Sequence, residues 1–412
     1  MGLSLTFPEK LRATITLPGS KSIAARALIL SALSGGRQVL NLSDCDDTQA
    51  LLKALTHDTE IVDIGAAGTA MRFLTAYFAT QSGTQHLLTE TERMQQRPIS
   101  ILVEALQALG ADITYTGQVG YPPLLIKGKD IQGGEVRLSA EVSSQYISAL
   151  LMVGPMLRDG LRLQLEGTIA SRPYIEMTLG LMREFGAKAS WTDAKTICVA
   201  PGGYSRTAEF VVEPDWSAAS YWYEMVALSN DAEAEIHLPY LRAESLQGDS
   251  VVKDLFHHLG VDTRFDSEGA TLTKKAFSPT STTWEVDFSQ FPDLAQTLVV
   301  TCAILGQPFH FTGLQSLRIK ETDRIVALVA ELGKLGIMLE AEASSIAYQP
   351  QQQNSAALAQ PEIATYEDHR MAMCIAPCAM RQPGIKILHP EVVNKSYPTF
   401  WEDLQRVGVI LQ

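Results

Sequence analysis

Five glycines, Gly110, Gly186, Gly260, Gly336 and Gly408, recur at intervals of 76, 74, 76 and 72 residues, and each closes a stretch with helical apolar spacing. Ile99, Leu102, Val103, Leu106 and Leu109 fall at i, i+3, i+4, i+7 and i+10, one face of a helix, which Gly110 stops. Ile325, Leu328, Val329, Leu332 and Leu335 repeat the pattern before Gly336. Ile175, Thr178, Leu179, Met182 and Phe185 do so before Gly186 with one polar substitution. Val252, Lys253, Phe256 and Leu259 before Gly260, and Phe400, Trp401, Leu404 and Val407 before Gly408, are looser copies. Leu52 and Leu55 before Thr56 make a degenerate sixth.

A second helical series interleaves with the first. It starts near Ser22, Thr69, Ser144, Ser217, Asp293 and His369, the last five starts lying 75, 73, 76 and 76 residues apart. An apolar run follows each start, as in Ser148 to Met156 or Leu298 to Leu305. Short β-type segments such as Leu124–Ile126, Ile197–Val199, Phe210–Val212 and Trp284–Val286 fill the gaps. The expectation is an α/β chain of six repeats, each of two helices and several strands. With 412 residues, more than one hydrophobic core holds, two domains are expected.

A formal charge of −13 argues against a general nucleic-acid binder, which needs a basic face. It leaves room for a local cluster of Arg that takes anionic substrates. Cys45, Cys198, Cys302, Cys374 and Cys378 form no CxxC pair and no even framework, so reduced thiols in a cytoplasmic protein are expected. Cys374 and Cys378 lie four apart in an apolar run and read as core packing, not metal ligands. Glu9, Lys10 and Arg12 occupy the place of an apolar leader, so no signal peptide is expected. Gly2 and Thr6 satisfy a loose myristoylation pattern, but Leu3, Leu5 and Phe7 alternate as a strand does. No apolar stretch reaches the ~18 residues a membrane span needs.

Chemistry concentrates at the starts of the second series. Gly19-Ser20-Lys21-Ser22 with Arg26, Gly68-Thr69 with Arg72, Ser143-Ser144-Gln145, and Asp368-His369-Arg370 all stand where a helix begins. A helix N-terminus exposes unpaired N–H groups and about half a positive charge, so it holds phosphate or carboxylate. Ser, Thr and Asp there are also ordinary caps. Lys21, Arg26, Arg72 and Arg370 are different, because a cation at this end opposes the dipole and needs an anionic partner. Gly-Ser-Lys-Ser is not a nucleotide-binding P-loop, since Ser20 separates Gly19 from Lys21 and the earlier glycine is missing. Three further segments concentrate charge. Thr91 to Pro98 places Arg93 and Arg97 four apart, Ser316 to Arg324 carries three cations and two carboxylates, and Pro292-Asp293 sets a carboxylate at a helix start.

Taken in order, these segments resemble the EPSP synthase (3-phosphoshikimate 1-carboxyvinyltransferase) family. The likeness runs from Leu17-Pro18-Gly19-Ser20-Lys21-Ser22 to Asn394-Lys395-Ser396-Tyr397-Pro398. Between them lie Ala67-Gly68-Thr69-Ala70-Met71-Arg72, Arg93-Met94 with Arg97-Pro98, Ser143-Ser144-Gln145, Ser171-Arg172-Pro173-Tyr174, Pro292-Asp293, Lys320-Glu321-Thr322-Asp323-Arg324 and Asp368-His369-Arg370-Met371-Ala372-Met373. The resemblance implies two similar domains of three βαβαββ units each, an inside-out α/β barrel, with helix N-termini converging on a cleft. One domain would hold residues 20–213, mainly the shikimate 3-phosphate side, and the other residues 1–19 with 214–412. It implies transfer of the enolpyruvyl group of phosphoenolpyruvate to the 5-hydroxyl of shikimate 3-phosphate through a tetrahedral intermediate, without metal or organic cofactor. By matching position, Asp293 would take the hydroxyl proton, Glu321 would serve the methylene carbon and Lys21 would assist both proton traffic and phosphate charge. His369 is a further candidate near the reacting groups. Arg97, Arg324, Arg370 and Lys395 would clamp phosphoenolpyruvate, with Lys21, Gly68 and Gln145 beside it. Ser22, Arg26, Ser143, Ser144, Gln145, Ser171, Tyr174 and Lys320, with Lys21 and Asp293, would hold shikimate 3-phosphate. The enzyme is expected to be a cytoplasmic monomer with no nucleic-acid or membrane partner.

This chain departs from the family pattern in having Ala66 where Asn is usual, Ala24-Ala25 for Ser-Asn and Ser316 for Asn. Ala66 removes a polar contact beside the phosphoenolpyruvate site, which bears on affinity and on response to glyphosate. The UDP-N-acetylglucosamine enolpyruvyl transferases share fold and chemistry, but carry a reactive Cys where this chain has Gln95 and Asn where it has Ser22. A two-domain protein that binds an anion without chemistry would lack the paired carboxylates Asp293 and Glu321.

Overall fold

The computed structural model describes residues 2–57, 59–92, 94–140, 143–169, 171–205, 209–350 and 357–412. The chain divides into two compact units, residues 19–212 and residues 1–18 with 213–412. Two strands, β1 (Gly2–Thr6) and β2 (Arg12–Thr14), precede the first unit. That unit opens with α1 (Lys21–Leu33), β3 (Val39–Leu40) and α2 (Asp46–Thr56). Its second repeat is β4 (Ile61–Asp63), α3 (Gly68–Ala79), β5 (Gln85–Thr89), α4 (Ser100–Ala108), β6 (Asp112–Tyr115) and β7 (Leu124–Lys127). The third is β8 (Gly134–Ser139), α5 (Ser144–Val153), β9 (Leu161–Glu166), α6 (Arg172–Glu184), β10 (Ala189–Trp191) and β11 (Thr196–Val199), followed by β12 (Phe210–Val211).

The second unit starts with α7 (Trp216–Leu228), β13 (Glu235–Pro239), α8 (Val252–His258), β14 (Val261–Phe265) and β15 (Gly269–Lys274). Then come β16 (Trp284–Asp287), α9 (Ala295–Leu305), β17 (Phe309–Thr312), α10 (Arg324–Lys334), β18 (Glu340–Ala341) and β19 (Ile346–Tyr348). The last elements are β20 (Glu362–Ile363), α11 (His369–Ile375), β21 (Lys386–Leu388), α12 (Phe400–Arg406) and β22 (Ile410–Leu411).

Among the described residues, five of the six sheets share one strand order, and in three of them, typified by β4-β5-β7-β6, a parallel pair joined through a helix is followed by an antiparallel hairpin whose second strand returns to the middle. In two sheets the N-terminal segment fills a vacancy. β2 is the parallel partner of β13, and β1 sits between β21 and β22. The sixth sheet is the degenerate copy. Among the described residues it holds only β12 and β3, and β4 follows α2 after a few residues where a hairpin would stand.

The five glycines of the repeat all have φ between 81° and 110°. This is the left-handed residue that commonly follows a helix, and glycine adopts it without a Cβ clash. The two helical series differ in burial. α5 is buried from Tyr146 through Val153 and α9 from Ala295 through Ala303, so these two helices of the motif-bearing series are buried on every side. α10 is amphipathic, burying Ile325, Ala327, Leu328 and Leu332 while Val326 faces out. Each fully buried Leu or Ile adds about 1.5–3 kcal/mol, enough to hold the charged N-termini in place. No helix among the described residues is long and apolar enough to cross a membrane.

Candidate functional site

In the 213–412 unit, the starts of α9, α10 and α11 bring one charged cluster together. Asp293 lies in a single 3-10 turn, Pro292–Leu294, that leads into α9. One of its oxygens is 3.2 Å from Arg324 Nη1 and 3.4 Å from Lys320 Nζ, and the other is 3.1 Å from Arg370 Nη2. Glu321 joins Arg324 Nη2 at 3.0 Å and Lys395 Nζ at 3.4 Å. Asp368 caps α11 by accepting from the Arg370 N–H and grips Arg324 Nε at 2.7 Å. Arg324 is 1% exposed, so its charge is tolerated only because three carboxylates surround it. His369 is buried beside this cluster, its Nδ1 3.8 Å from Asp368 Oδ1.

The electrostatics of Asp293 follow from this cage. Burial alone would raise its pKa, but Arg370, Lys320 and Arg324 outweigh burial and hold the carboxyl well below its usual range. It is therefore a poor base while the cations remain on it. A second carboxylate completes the picture. Asp249, buried in the 3-10 turn Gly248–Val251, accepts a hydrogen bond from Ser217, whose hydroxyl also receives Arg370 Nη2 at 3.4 Å. Burial and then the charge of Asp293 push Asp249 up to about 7, against the pull of Arg370.

In the 19–212 unit the starts of α1, α3, α5 and α6 carry the site residues. Neither α1 nor α3 has a side-chain cap, so their first N–H groups are not used by a capping oxygen. Gly19 is required ahead of α1, since a Cβ there would lie 1.9 Å from the Asn41 carbonyl oxygen. Lys21 reaches Asp47 of α2 at 3.3 Å. Arg26 is 2% exposed and is held by Thr178 Oγ1 at 2.7 Å, Ser148 Oγ at 3.0 Å and the Ser22 carbonyl at 2.8 Å. The Phe73 and Tyr174 rings flank it at 5.4 and 5.9 Å. No carboxylate lies within ion-pair distance of it among the described residues, and burial lowers its pKa to about 10.

A second cluster stands on α3. Arg72 Nη1 donates to the Gly68 carbonyl at 2.9 Å and to Gln145 Oε1 at 2.8 Å, and Gln145 Nε2 reaches Thr69 Oγ1 at 3.1 Å. A Cβ on Gly68 would meet Arg97 Nη1 at 2.6 Å and Arg72 Nη1 at 3.1 Å. Two guanidinium groups thus crowd one uncapped helix start, an arrangement suited to phosphate or carboxylate. Ser143 accepts from the Gln145 N–H at 3.4 Å as the cap of α5, and Ser144 opens that helix. Ser171, ahead of α6, has a left-handed backbone at φ 53°. Arg93 lies outside the described residues.

The expected cations therefore divide by partner. Lys21 and Arg370 have carboxylates, whereas Arg26 and Arg72 rest on neutral oxygens. Sequence reasoning missed Asp47, Asp249 and the grip of Asp368 on Arg324. Asp368 stood inside a quoted motif, but no spacing rule flagged Asp47 or Asp249. Among the described residues no group of three or more His, Cys, Asp or Glu could hold a metal ion.

The family described as EPSP synthase (3-phosphoshikimate 1-carboxyvinyltransferase) matches residues 5–59 and 55–404. The chain belongs to the EPSP synthase family. A 3-phosphoshikimate 1-carboxyvinyltransferase of Bacteroides fragilis (strain YCH46) is 54% identical over 406 residues, covering 98% of this chain and 97% of the relative. One of the same name from Cellvibrio japonicus is 36% identical over 428 residues, covering 96% and 97%. In fold, the chain matches an EPSP synthase structure from Acinetobacter baumannii with a TM-score of 0.79 at 22% identity, covering all of both chains. The enolpyruvyl transferase NikO from Streptomyces tendae gives a TM-score of 0.74 at 15% identity, over 100% of this chain and 98% of that one.

Proposed function

We infer that this chain transfers the enolpyruvyl group of phosphoenolpyruvate to the 5-hydroxyl of shikimate 3-phosphate, releasing phosphate, as a step of the shikimate pathway. The observation that carries the reading is the set of carboxylates, Asp293 and Glu321, wedged among Arg324, Arg370, Lys320 and Lys395. The reaction needs a base for the hydroxyl, an acid for the methylene carbon and cations for phosphate and carboxylate. Protein carboxylates pair with the cations that substrate anions would take. Binding then turns Arg370, Arg324 and Lys320 toward the ligand, which releases Asp293 from its cage and restores its basicity. Asp293 accepts the hydroxyl proton, Glu321 handles the proton at the methylene carbon, and Lys21 supports proton and phosphate charge. His369 stands by as a second contributor.

Arg97, Arg324, Arg370 and Lys395, with Lys21, Gly68 and Gln145, bind phosphoenolpyruvate. Ser22, Arg26, Ser143, Ser144, Gln145, Ser171, Tyr174 and Lys320 bind shikimate 3-phosphate, so the 19–212 unit is mainly the acceptor side. The enzyme works as a cytoplasmic monomer without cofactor. Phosphate release from phosphoenolpyruvate tests the reading: it should require shikimate 3-phosphate. Release with UDP-N-acetylglucosamine in its place would overturn the acceptor.

A further inference from the structure

One cavity lies away from every residue assigned above. It has a volume of about 760 Å³ and runs over the sheet β8-β9-β11-β10 and the end of α6, with Arg162, Arg183, Lys188, Cys198, Glu135 and Asp159 in its wall. The strand register sets Glu135, Arg162, Cys198 and Ser190 side by side across the four strands, since Glu135 pairs with Arg162, Arg162 with Cys198 and Cys198 with Ser190. Alternation in a strand sends all four to the same face. Tyr174 stands near the start of α6 and Arg183 near its end, nine positions or about 13 Å along the axis. The cavity is thus a separate place in the fold.

Its chemistry has two parts. Three cations line it in a chain whose formal charge is −13. Its acids are partly engaged: Glu135 lies 3.6 Å from Arg162 Nε and 3.8 Å from Arg137 Nε, and Asp159 accepts from Gln132 at 2.6 Å. Arg183 and Lys188 are exposed and have no carboxylate at ion-pair distance among the described residues. The second part is a nucleophile. Cys45, Cys302, Cys374 and Cys378 are buried, whereas Cys198 is partly exposed in the cavity, with Arg162 Nη1 3.4 Å from its sulfur.

We propose that this cavity binds an anionic low-molecular-weight disulfide, and that Cys198 exchanges with it. The Cys198 thiolate attacks one sulfur of the disulfide. A new S–S bond forms, the old one breaks, and the departing thiolate takes up the proton that Cys198 gave to solvent. The Cys198 sulfur rises one oxidation level and the departing sulfur falls one, so no outside oxidant or reductant is needed. Carboxylates of the retained half rest against Arg183 and Lys188.

The test compares 3,3′-dithiodipropionate, a dianion, with cystamine, a dication, on the native full-length chain, each rate divided by that for a small uncharged thiol. Mass spectrometry should find one adduct, on Cys198, formed about tenfold or more faster with the dianion, the preference shrinking with salt. Cys198→Ser should abolish the adduct and keep transferase turnover. Arg183→Gln with Lys188→Gln should bring the two normalised rates together while Cys198 still reacts. No adduct on the native protein overturns the proposal. So does an adduct at Cys198 that shows no charge preference, or one that keeps its preference in the double variant. None of these results touches the transferase reading, which phosphate release tests separately.

Discussion

The two units hold their buried guanidinium groups in opposite ways. In the 213–412 unit, Arg324, Arg370, Lys320 and Lys395 are locked to Asp293, Glu321 and Asp368, so most of the charge is neutralised within the cluster. In the 19–212 unit, Arg26 and Arg72 are held by hydroxyls, an amide and carbonyls, which orient a guanidinium and leave its charge uncancelled. A caged cluster has a low field outside and large internal forces, and it suits groups that must change protonation. An uncancelled cation has a long reach and suits affinity for a fixed anion. The two arrangements stand on different units.

Stability should break this comparison most sharply. Arg324→Met leaves three carboxylates without their shared partner, and the expected loss is about 3–5 kcal/mol in urea unfolding. Arg26→Met orphans only hydroxyls and a carbonyl, and should cost no more than about 2 kcal/mol. Equal losses would show that the two cations are held alike. Turnover comes next. Asp293→Asn and Glu321→Gln should each lower kcat by about 10²-fold or more, with smaller changes in KM, as for an acid or base. Near-normal kcat in either folded variant removes that residue from proton transfer.

The third measurement asks whether the 213–412 unit tolerates a carboxylate outside the cage. Glu224 on α7 is completely buried, and burial raises its pKa well above the ordinary 4.5. Its carboxyl holds its proton more tightly in the folded state than in the unfolded one. Its contribution is therefore full below about pH 4.5 and declines as pH rises from there toward the folded pKa, by up to about 1.4 kcal/mol per pH unit. Glu224→Gln should flatten that part of the stability–pH curve, and an unchanged slope would assign the effect elsewhere. The smallest effect sharpens the other side. Gly68→Ala places a methyl against Arg97 and Arg72, and should raise KM for phosphoenolpyruvate by roughly tenfold with kcat nearly kept, as loss of uniform binding does.

The repeat was legible because glycine has a backbone role no other residue fills as easily. Gly110, Gly186, Gly260, Gly336 and Gly408 all took the left-handed conformation their positions suggested. The first repeat offered no such glycine after Thr56, and it is the one whose sheet holds two strands among the described residues. The site was legible as motifs, and the motifs did assemble in each unit, with Lys320, Glu321, Arg324 and Arg370 around Asp293. Which charges pair was not legible, because pairing depends on distances between chain-remote residues. Asp249 reaches the cluster through Ser217, 32 positions away, and Asp47 reaches Lys21 from the next helix. A thermodynamic rule about cations at helix starts also had two solutions, a carboxylate or a set of neutral oxygens, and sequence could not choose between them.

The vacancies filled by β1 and β2 set a timetable for the nascent chain. β2 pairs with β13, some 220 residues later, and β1 with β21, some 380 residues later. At a synthesis rate of about 5–20 residues per second, the first of these partners emerges about 10–45 s after β2 does. Residues 19–212 can close around their own core in that interval. The leading segment must meanwhile stay unpaired until the ribosome has delivered the strands that follow residues 19–212. The charges at Glu9, Lys10 and Arg12 keep such a waiting strand from finding the wrong neighbour.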